Sequence, residues 1–240
     1  MQATIATQSR ISPTQRRDML RLHARYFENV RRERFLSDLA AKQWVILLHA
    51  EDGTLAGFST IETLNLPVDG AAHTFLFSGD TIVEQAHRRS PALAGAFGHF
   101  MLRTIEENGG RPIHWFLITK GPRTYRFLPV FFREFHPTCD RPTPLPRRRL
   151  LDAVAQHKFP ETYDPGSGIV RNPGDADSLR PEHQGLPRGR TADRHVRFFL
   201  NRNPGWTRGD ELACLAEVSE ANLNRAAFRV IRQTRVEWIE

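Results

Sequence analysis

The 240-residue chain has only two cysteines, three lysines and no apolar run near the roughly 20 residues a bilayer span requires. Each scarcity excludes something. Cys139 and Cys214 cannot build a disulfide framework or a four-cysteine zinc site, which suits a reduced, cytoplasmic setting. No apolar leader segment follows the first Met. Membrane-spanning, collagen-like, coiled-coil and disulfide-scaffold classes are therefore excluded. The shortage of lysine has a different meaning. Lys42, Lys120 and Lys158 stand alone, so 31 of the 34 basic residues are Arg, the bias of a GC-rich, bacterial genome. Part of the net charge of +7 is then compositional background. A basic excess otherwise favours nucleic acid or another acidic partner. With 40% hydrophobic and 25% charged residues the composition is ordinary for a globular protein.

Local signals order the chain. Ser12-Pro13-Thr14-Gln15 offers an N-cap and a proline suited to the first helical position. Met19, Leu20, Leu22, Tyr26, Phe27 and Val30 recur at helical spacing, and the pattern resumes at Phe35, Leu36 and Leu39. This is one helix broken near Arg31-Arg32, or two in succession. Residues 44–49 and 55–61 read as an antiparallel hairpin around Glu51-Asp52-Gly53-Thr54. After a turn-rich stretch ending at Gly70, a third strand starts at 73–77 and continues through Thr81-Ile82-Val83 with a bend at Gly79. Ser90-Pro91 starts a helix with Leu93, Phe97, Phe100, Met101 and Ile105 on one face, closed by Asn108-Gly109-Gly110. Residues 113–118 form the next buried strand. Gly121-Pro122 opens a helical stretch to Phe135, which Pro129 should kink or split.

The texture changes after His136-Pro137. Three prolines in 141–147 lead into Arg147-Arg148-Arg149. Residues 150–156 suit a helix, and 159–194 read as a long surface excursion rich in Pro, Gly, Asp and Arg. A short helix at 195–200, a strand at 211–218 and a basic helix or frayed tail at 222–232 complete the chain. The expected organisation is a core over 1–140, an irregular Pro/Gly/Arg-rich segment over 141–194, and a helix-strand-helix extension over 195–240 packed on the core. The fold class is α/β (α+β), with a mixed, mostly antiparallel central sheet flanked by helices.

Residues 80–94 run from a strand end through a polar turn into a helix start. A helix N-terminus presents unpaired N–H groups and the positive end of a dipole, and so suits phosphate. Arg88 and Arg89 would add charge, Ser90 would cap the helix, and small Ala92 and Ala94 would let a phosphate approach the backbone. The alternative is a capped surface helix with two solvated arginines. Lys120 and Arg123 flank a second strand-to-helix turn at Gly121-Pro122 and offer a further phosphate or carboxylate site.

The order of elements and the first turn resemble the GNAT superfamily of N-acyltransferases over about residues 12–137, with the strand at 211–218. In that family the strand before the turn ends in Arg/Gln-x-x-Gly-x-Gly/Ala, which grips the pyrophosphate of acyl-coenzyme A. Two frames fit: Arg88 with Pro91 and Leu93, or Arg89 with Ala92 and Ala94, which keeps small residues at both glycine positions. Neither frame contains glycine. The resemblance implies transfer of an acyl group from acetyl-CoA, a longer acyl-CoA or an acidic acyl carrier protein to the amine of a small molecule or amino acid. Abundant Phe keeps in view the relatives that make N-acyl amino acids. The implied donor site comprises Val83, whose backbone N–H would polarise the carbonyl, with Arg88, Arg89, Ser90, Ala92, Leu93 and Ala94. The strand at 113–119 would splay from its predecessor and leave a wedge for the pantetheine arm. Phe131–Phe135 resembles the family's Leu-Tyr-x-x-x-Gly-Phe, with Phe132 where a Tyr usually protonates the departing thiolate, and Tyr125 is the nearest replacement. Glu84 is the implied general base, ahead of Asp80 and His87. Oligomers are common in the family, so a homodimer is compatible with it.

Other constellations are weaker. His136, Cys139 and Asp140 lack a second Cys/His pair at zinc-like spacing, so no metal site is expected. Gly166-Ser167-Gly168 lacks the setting of a nucleophile elbow, and the sequence holds no P-loop and no Gly-x-Gly-x-x-Gly. The alternative function is a non-catalytic GNAT-like protein that binds nucleic acid or an acidic partner through the Arg147–Arg149 run and the Arg-rich tail.

Overall fold

A computed structural model describes residues 1–185 and 192–240. In chain order its first elements are β1 (Gln2–Thr7), α1 (Pro13–Tyr26), β2 (Phe27–Glu28), α2 (Arg32–Ala40), β3 (Trp44–His49), β4 (Leu55–Val68) and β5 (Ala71–Val83). Then come α3 (Ala92–Glu107), β6 (Ile113–Thr119), α4 (Pro122–Tyr125), α5 (Phe127–Phe131) and α6 (Leu145–Lys158). The last are β7 (Tyr163–Asp164), β8 (Ile169–Val170), β9 (Ser178–Leu179), α7 (Arg194–Arg202), β10 (Glu211–Glu217), α8 (Arg225–Gln233) and β11 (Val236–Ile239). Nine strands form one sheet in the order β11-β1-β3-β4-β5-β6-β10-β8-β7, while β2 pairs with β9. The β1/β11 and β5/β6 pairs are parallel, and the other neighbours are antiparallel.

Several elements follow directly from local chemistry. Ser12 and Gln15 close a reciprocal capping box at the start of α1. The break before α2 contains Asn29 at a positive φ of 59°, so the residues form two helices. Arg126 separates α4 from α5, and Pro129 sits in the first turn of α5, where its missing N–H costs no intrahelical bond. The second strand of the hairpin runs further than expected, to Val68. Asp69 and Gly70 both take positive φ, the geometry of a tight hairpin turn. Pro67 is tolerated because β3 pairs with β4 only over Leu55–Ile61, leaving no partner for an N–H there.

The C-terminal stretch corrects the expected organisation. Residues 195–240 are no appendage: β10 lies beside β6, and β11 pairs with β1, a strand the sequence reading did not anticipate. The excursion at 159–194 carries β7 and β8 at the sheet edge and β9 against β2. The part of it at 186–191 lies outside the described residues.

One face of the sheet buries Ile5, Ile46, Leu76 and Trp115 under α3, α5 and α8. The other face is covered in two blocks. Helices α1 and α2 pack on Val45, Leu47 and Phe58, and α6 packs on Phe75, Phe116 and Leu215. Between the blocks the surface over Phe77–Asp80 stays open as a cleft.

Candidate functional site

Parallel strands β5 and β6 pair only from Thr74–Ser78 with Ile113–Leu117, then part. Just past that point β5 bulges. Ser59 of β4 faces Thr81 and Ile61 faces Ser78, so Gly79 and Asp80 together oppose Thr60. Glycine is required there, since a Cβ on residue 79 would lie 2.6 Å from Thr60 Oγ1 and 2.9 Å from Lys42 Cε. The bend expected at Gly79 is this bulge. Val83, by contrast, pairs with Gly57, so the strand does not bulge at Val83 as the resemblance implied but at Gly79–Asp80.

Two cavities meet where the strands part. On the α3 face an apolar pocket is lined by Leu93, Phe97, Met101, Trp115, Phe127 and Phe132, among others, and floored by α8. On the opposite face is the open cleft, about 300 Å³. Ser78, Thr81 and Thr124 line both. Ser78 Oγ accepts the Trp115 indole N–H at 3.0 Å, and Thr81 Oγ1 bonds Ser59 Oγ at 2.7 Å.

The cleft is lined by charged groups of both signs, Arg31, Arg34, Asp38, Lys158 and Arg171 among them, and at its centre it gathers His23, Asp80, Lys120, Asp177 and Glu211 from five parts of the chain. Lys120 Nζ lies 2.9 Å from Asp177 Oδ2 and 3.5 Å from Glu211 Oε1. His23 Nε2 lies 3.1 Å from Asp177 Oδ2, and His23 Nδ1 lies 3.6 Å from Asp80 Oδ2. Burial opposes ionisation of Asp177, but the His23 hydrogen bond and the Lys120 charge hold it well below the usual carboxylate range. Burial pushes Glu211 up to about 7 in spite of Lys120. It also raises Asp80, against the opposing influence of His23. Burial alone would lower Lys120, yet Glu211 and Asp177 carry it above its ordinary value. His23, Asp80 and Asp177 bring ligand atoms within 4.8 Å of one another, a grouping able to hold a metal ion that the sequence reading did not expect.

The structure gathers some of the residues expected from sequence and disperses others. Leu93 and Ala94 line the apolar pocket, Ala92 is buried beside them, and Ser90 Oγ accepts the Ala92 N–H at 3.2 Å. Arg88 donates through Nε to Val83 O at 3.1 Å and stacks 5.0 Å from the Tyr26 ring centroid. Arg89 and Arg123 are exposed. Partial burial and the charge of Arg88 both lower Arg123, and none of the three arginines lines either cavity. Lys120 is not with them, being turned into the cleft.

The residues expected to be catalytic lie apart from the two cavities. Glu84 accepts hydrogen bonds from Arg25 and from Tyr26 Oη and lines neither cavity. His87 ends the short turn after Glu84 and also lines neither. Tyr125 is fully buried, donates to Pro137 O at 2.9 Å, and packs against Phe198 and Phe199, away from the gap. Burial pushes its hydroxyl far above the ordinary tyrosine value. Phe132 does reach the pocket wall, against Trp115. Asp80, the second choice as base, is the one the bulge aims into the cleft.

Three cleft residues were missed. His23 had a visible signal, a polar side chain on the buried stripe of Met19, Leu22 and Tyr26. Glu211 and Asp177 had none, since only long-range packing brings them in. Elsewhere, Cys139 Sγ lies 3.4 Å from His195 Nδ1, but burial and Asp140 raise the thiol away from the reactive thiolate. Arg147, Arg148 and Arg149 pair with Glu217, Asp152 and Asp69, so the basic run is engaged within the chain. No helix among the described residues is long and apolar enough to cross a membrane.

A splayed parallel pair, a bulge at the splay and a helix entered through an Arg-rich turn define the architecture. The fold is GNAT-like. No protein-family model matches the sequence, and no curated protein matches it. Among solved structures, a conserved Enterococcus faecalis V583 protein described as a probable N-acyltransferase is 13% identical, with 56% of this chain and 33% of that one covered at a TM-score of 0.42. This chain therefore spans about a third of that protein. The Escherichia coli GNAT family N-acetyltransferase YhbS, in complex with CoA, is 16% identical over 55% of this chain and 69% of its own, with a TM-score of 0.38. An aminoglycoside 6′-N-acetyltransferase complexed with coenzyme A is 9% identical over 90% and 97% of the two chains, with a TM-score of 0.40. Likenesses of this size bring neither a reaction nor a ligand to this chain.

Proposed function

We propose that the protein is an N-acyltransferase that moves an acyl group from an acyl thioester to an amine. One observation carries this reading: the gap between β5 and β6 joins an apolar pocket on one face to a polar cleft on the other, where Asp80 stands at the gap among charged groups of both signs. A thioester needs an apolar slot for its arm, and an ammonium acceptor needs an acidic one. The two must meet at a point where the backbone is free of ladder pairing.

In this scheme the donor is acetyl-CoA, a longer acyl-CoA or a carrier-bound thioester with the same pantetheine arm. Its phosphates lie toward Arg88, Arg89, Arg123 and the first-turn N–H groups of α3. Its carbonyl sits at the Gly79–Asp80 bulge. The acceptor enters from the cleft and passes a proton to Asp80, whose carboxyl is raised by burial toward useful basicity. The free amine attacks the carbonyl carbon, the C–N bond forms and the C–S bond breaks. The proton that the nitrogen sheds as the C–N bond forms passes through water at the gap to the departing thiolate, Tyr125 being out of reach.

The test is thiol release from acetyl-CoA, octanoyl-CoA and an acyl carrier protein in the presence of a panel of amines and amino acids. Acceptor-dependent release that falls about 100-fold or more in Asp80→Asn supports the reading. Absence of release from every donor overturns it.

A further inference from the structure

We propose that His23 and Asp177 form a proton relay behind Asp80, which removes the acceptor's proton from the cleft. This rests on the acyltransferase reading and adds two residues to it, one of them from the irregular excursion.

The geometry is directional. Both side chains line the cleft, but His23 is only 6% exposed against 25% for Asp80, so Asp80 is the more accessible of the two. An ionised carboxylate only accepts hydrogen bonds, so the His23 contact to Asp177 Oδ2 places the proton on Nε2. Nδ1 then keeps its lone pair. That atom is fully buried and has no hydrogen-bond partner, and it lies 3.6 Å from Asp80 Oδ2. A histidine serving packing alone would leave this nitrogen at an energetic loss. A relay gives it a use. Rotation of Asp80 by a fraction of an ångström brings its carboxyl into hydrogen-bond range.

The ring is held for this purpose. Phe27 and Phe35 meet it edge-on, with centroids 4.7 and 5.6 Å away. The excursion is docked onto the end of α1, so Asp177 is held in place too. Phe27 and Glu28 pair with Leu179 and Ser178, the Arg180 N–H donates to Tyr26 O at 2.9 Å, and the Arg180 guanidinium donates to Ala24 O. A stretch that reads as loose surface loop thus delivers a carboxylate to a buried imidazole.

The transfer balances. The acceptor ammonium gives one proton to the Asp80 carboxylate. Asp80 passes it to His23 Nδ1, forming an imidazolium flanked by the Asp80 and Asp177 carboxylates. Other charged groups also face Asp80: Asp38 from α2, Lys120 from the end of β6 and Glu211 from β10. Lys120 and Glu211 influence the midpoint of the relay but lie outside its path. His23 and Asp177 act through Asp80 and are positioning residues.

The full-length chain labelled with ¹⁵N-histidine tests this by NMR, with His23 assigned by its loss in His23→Gln. The expected result is an Nε2–H tautomer in the wild type, disturbed in Asp177→Asn. An Nδ1–H tautomer overturns the relay. In the thiol-release assay with acetyl-CoA and the best amine of the panel, His23→Gln should lower kcat about tenfold or more and displace its pH profile, with KM for acetyl-CoA unchanged. Asp177→Glu should recover part of the rate that Asp177→Asn loses. An unchanged pH profile in His23→Gln overturns the relay while leaving the acyltransferase reading intact. Absence of thiol release in the wild type overturns both.

Discussion

The ammonium of Lys120 lies 2.9 Å from the carboxylate of Asp177, across 57 residues of chain. Asp177 also accepts from His23, so one carboxylate ties α1, the end of β6 and the excursion together. Without Lys120, the four carboxylates Asp38, Asp80, Asp177 and Glu211 would share the cleft with no ammonium beside Asp177 and Glu211. Lys120→Met should therefore destabilise the fold at pH 8 by an amount toward the lower part of roughly 3–5 kcal/mol. At pH 5, where the raised carboxyls take up protons, the cost should shrink. Urea unfolding at the two pH values checks this, and equal losses at both would contradict it.

Glu211 sets a second pH dependence. Its carboxyl is pushed up to about 7 in the folded protein, against an ordinary value of 4.5, because burial disfavours its charge. The folded state therefore holds a proton that the unfolded chain has released between these values. Glu211 contributes stability fully below about pH 4.5 and loses it as pH rises through about 7, by on the order of 3 kcal/mol. Asp177 has the opposite sign: its lowered carboxyl contributes stability at neutral pH that is lost on acidification. Unfolding free energies of Glu211→Gln between pH 5 and 8 should show a weaker decline than those of the wild type.

The bulge is tested at Gly79. A methyl group there meets Thr60 Oγ1 and Lys42 Cε inside van der Waals contact, so Gly79→Ala should cost roughly 1–3 kcal/mol. Thr60→Ala removes one of the two obstacles and should recover part of that loss in the double variant. A double-mutant cycle from thermal unfolding measures the coupling.

Donor recognition should follow Arg89 and Arg123, the exposed arginines of the two strand-to-helix turns. Arg89→Ala and Arg123→Ala should each weaken coenzyme A binding about tenfold, as expected for hydrogen bonds to a charged group. Both effects should diminish in high salt. Isothermal titration with free coenzyme A at two salt concentrations reports this directly.

Tyr125 and Glu84 provide the contrast. Tyr125→Phe strands the Pro137 carbonyl oxygen and should cost about 1–3 kcal/mol of stability. Per folded molecule, turnover should be unchanged in Tyr125→Phe and in Glu84→Gln, since neither side chain lines a cavity. A hundredfold loss of kcat in either would restore it to the reaction centre.

What was legible in sequence was short-range. Ser12 with Gln15, the apolar run at β3 and the Gly79 bend each declare themselves within a few residues. Strand β1 and its parallel partner β11 were missed because their pairing spans the whole chain. Glu84 looked like a base because it follows a strand end, but its direction depends on Arg25 and Tyr26 of α1. Tyr125 looked available because sequence does not show that Phe198 and Phe199 close over it.

By itself, the sequence determined where helices begin, which runs enter the sheet, and that an Arg-rich turn precedes α3, because caps, periodicity and turn chemistry act over one or two turns of backbone. The tertiary structure alone decided that β5 and β6 part, that the bulge aims Asp80 into a cleft, and that His23, Lys120, Asp177 and Glu211 surround it. Proximity and ionisation in such a cluster depend on burial and on neighbours distant in the chain, and no local pattern encodes either.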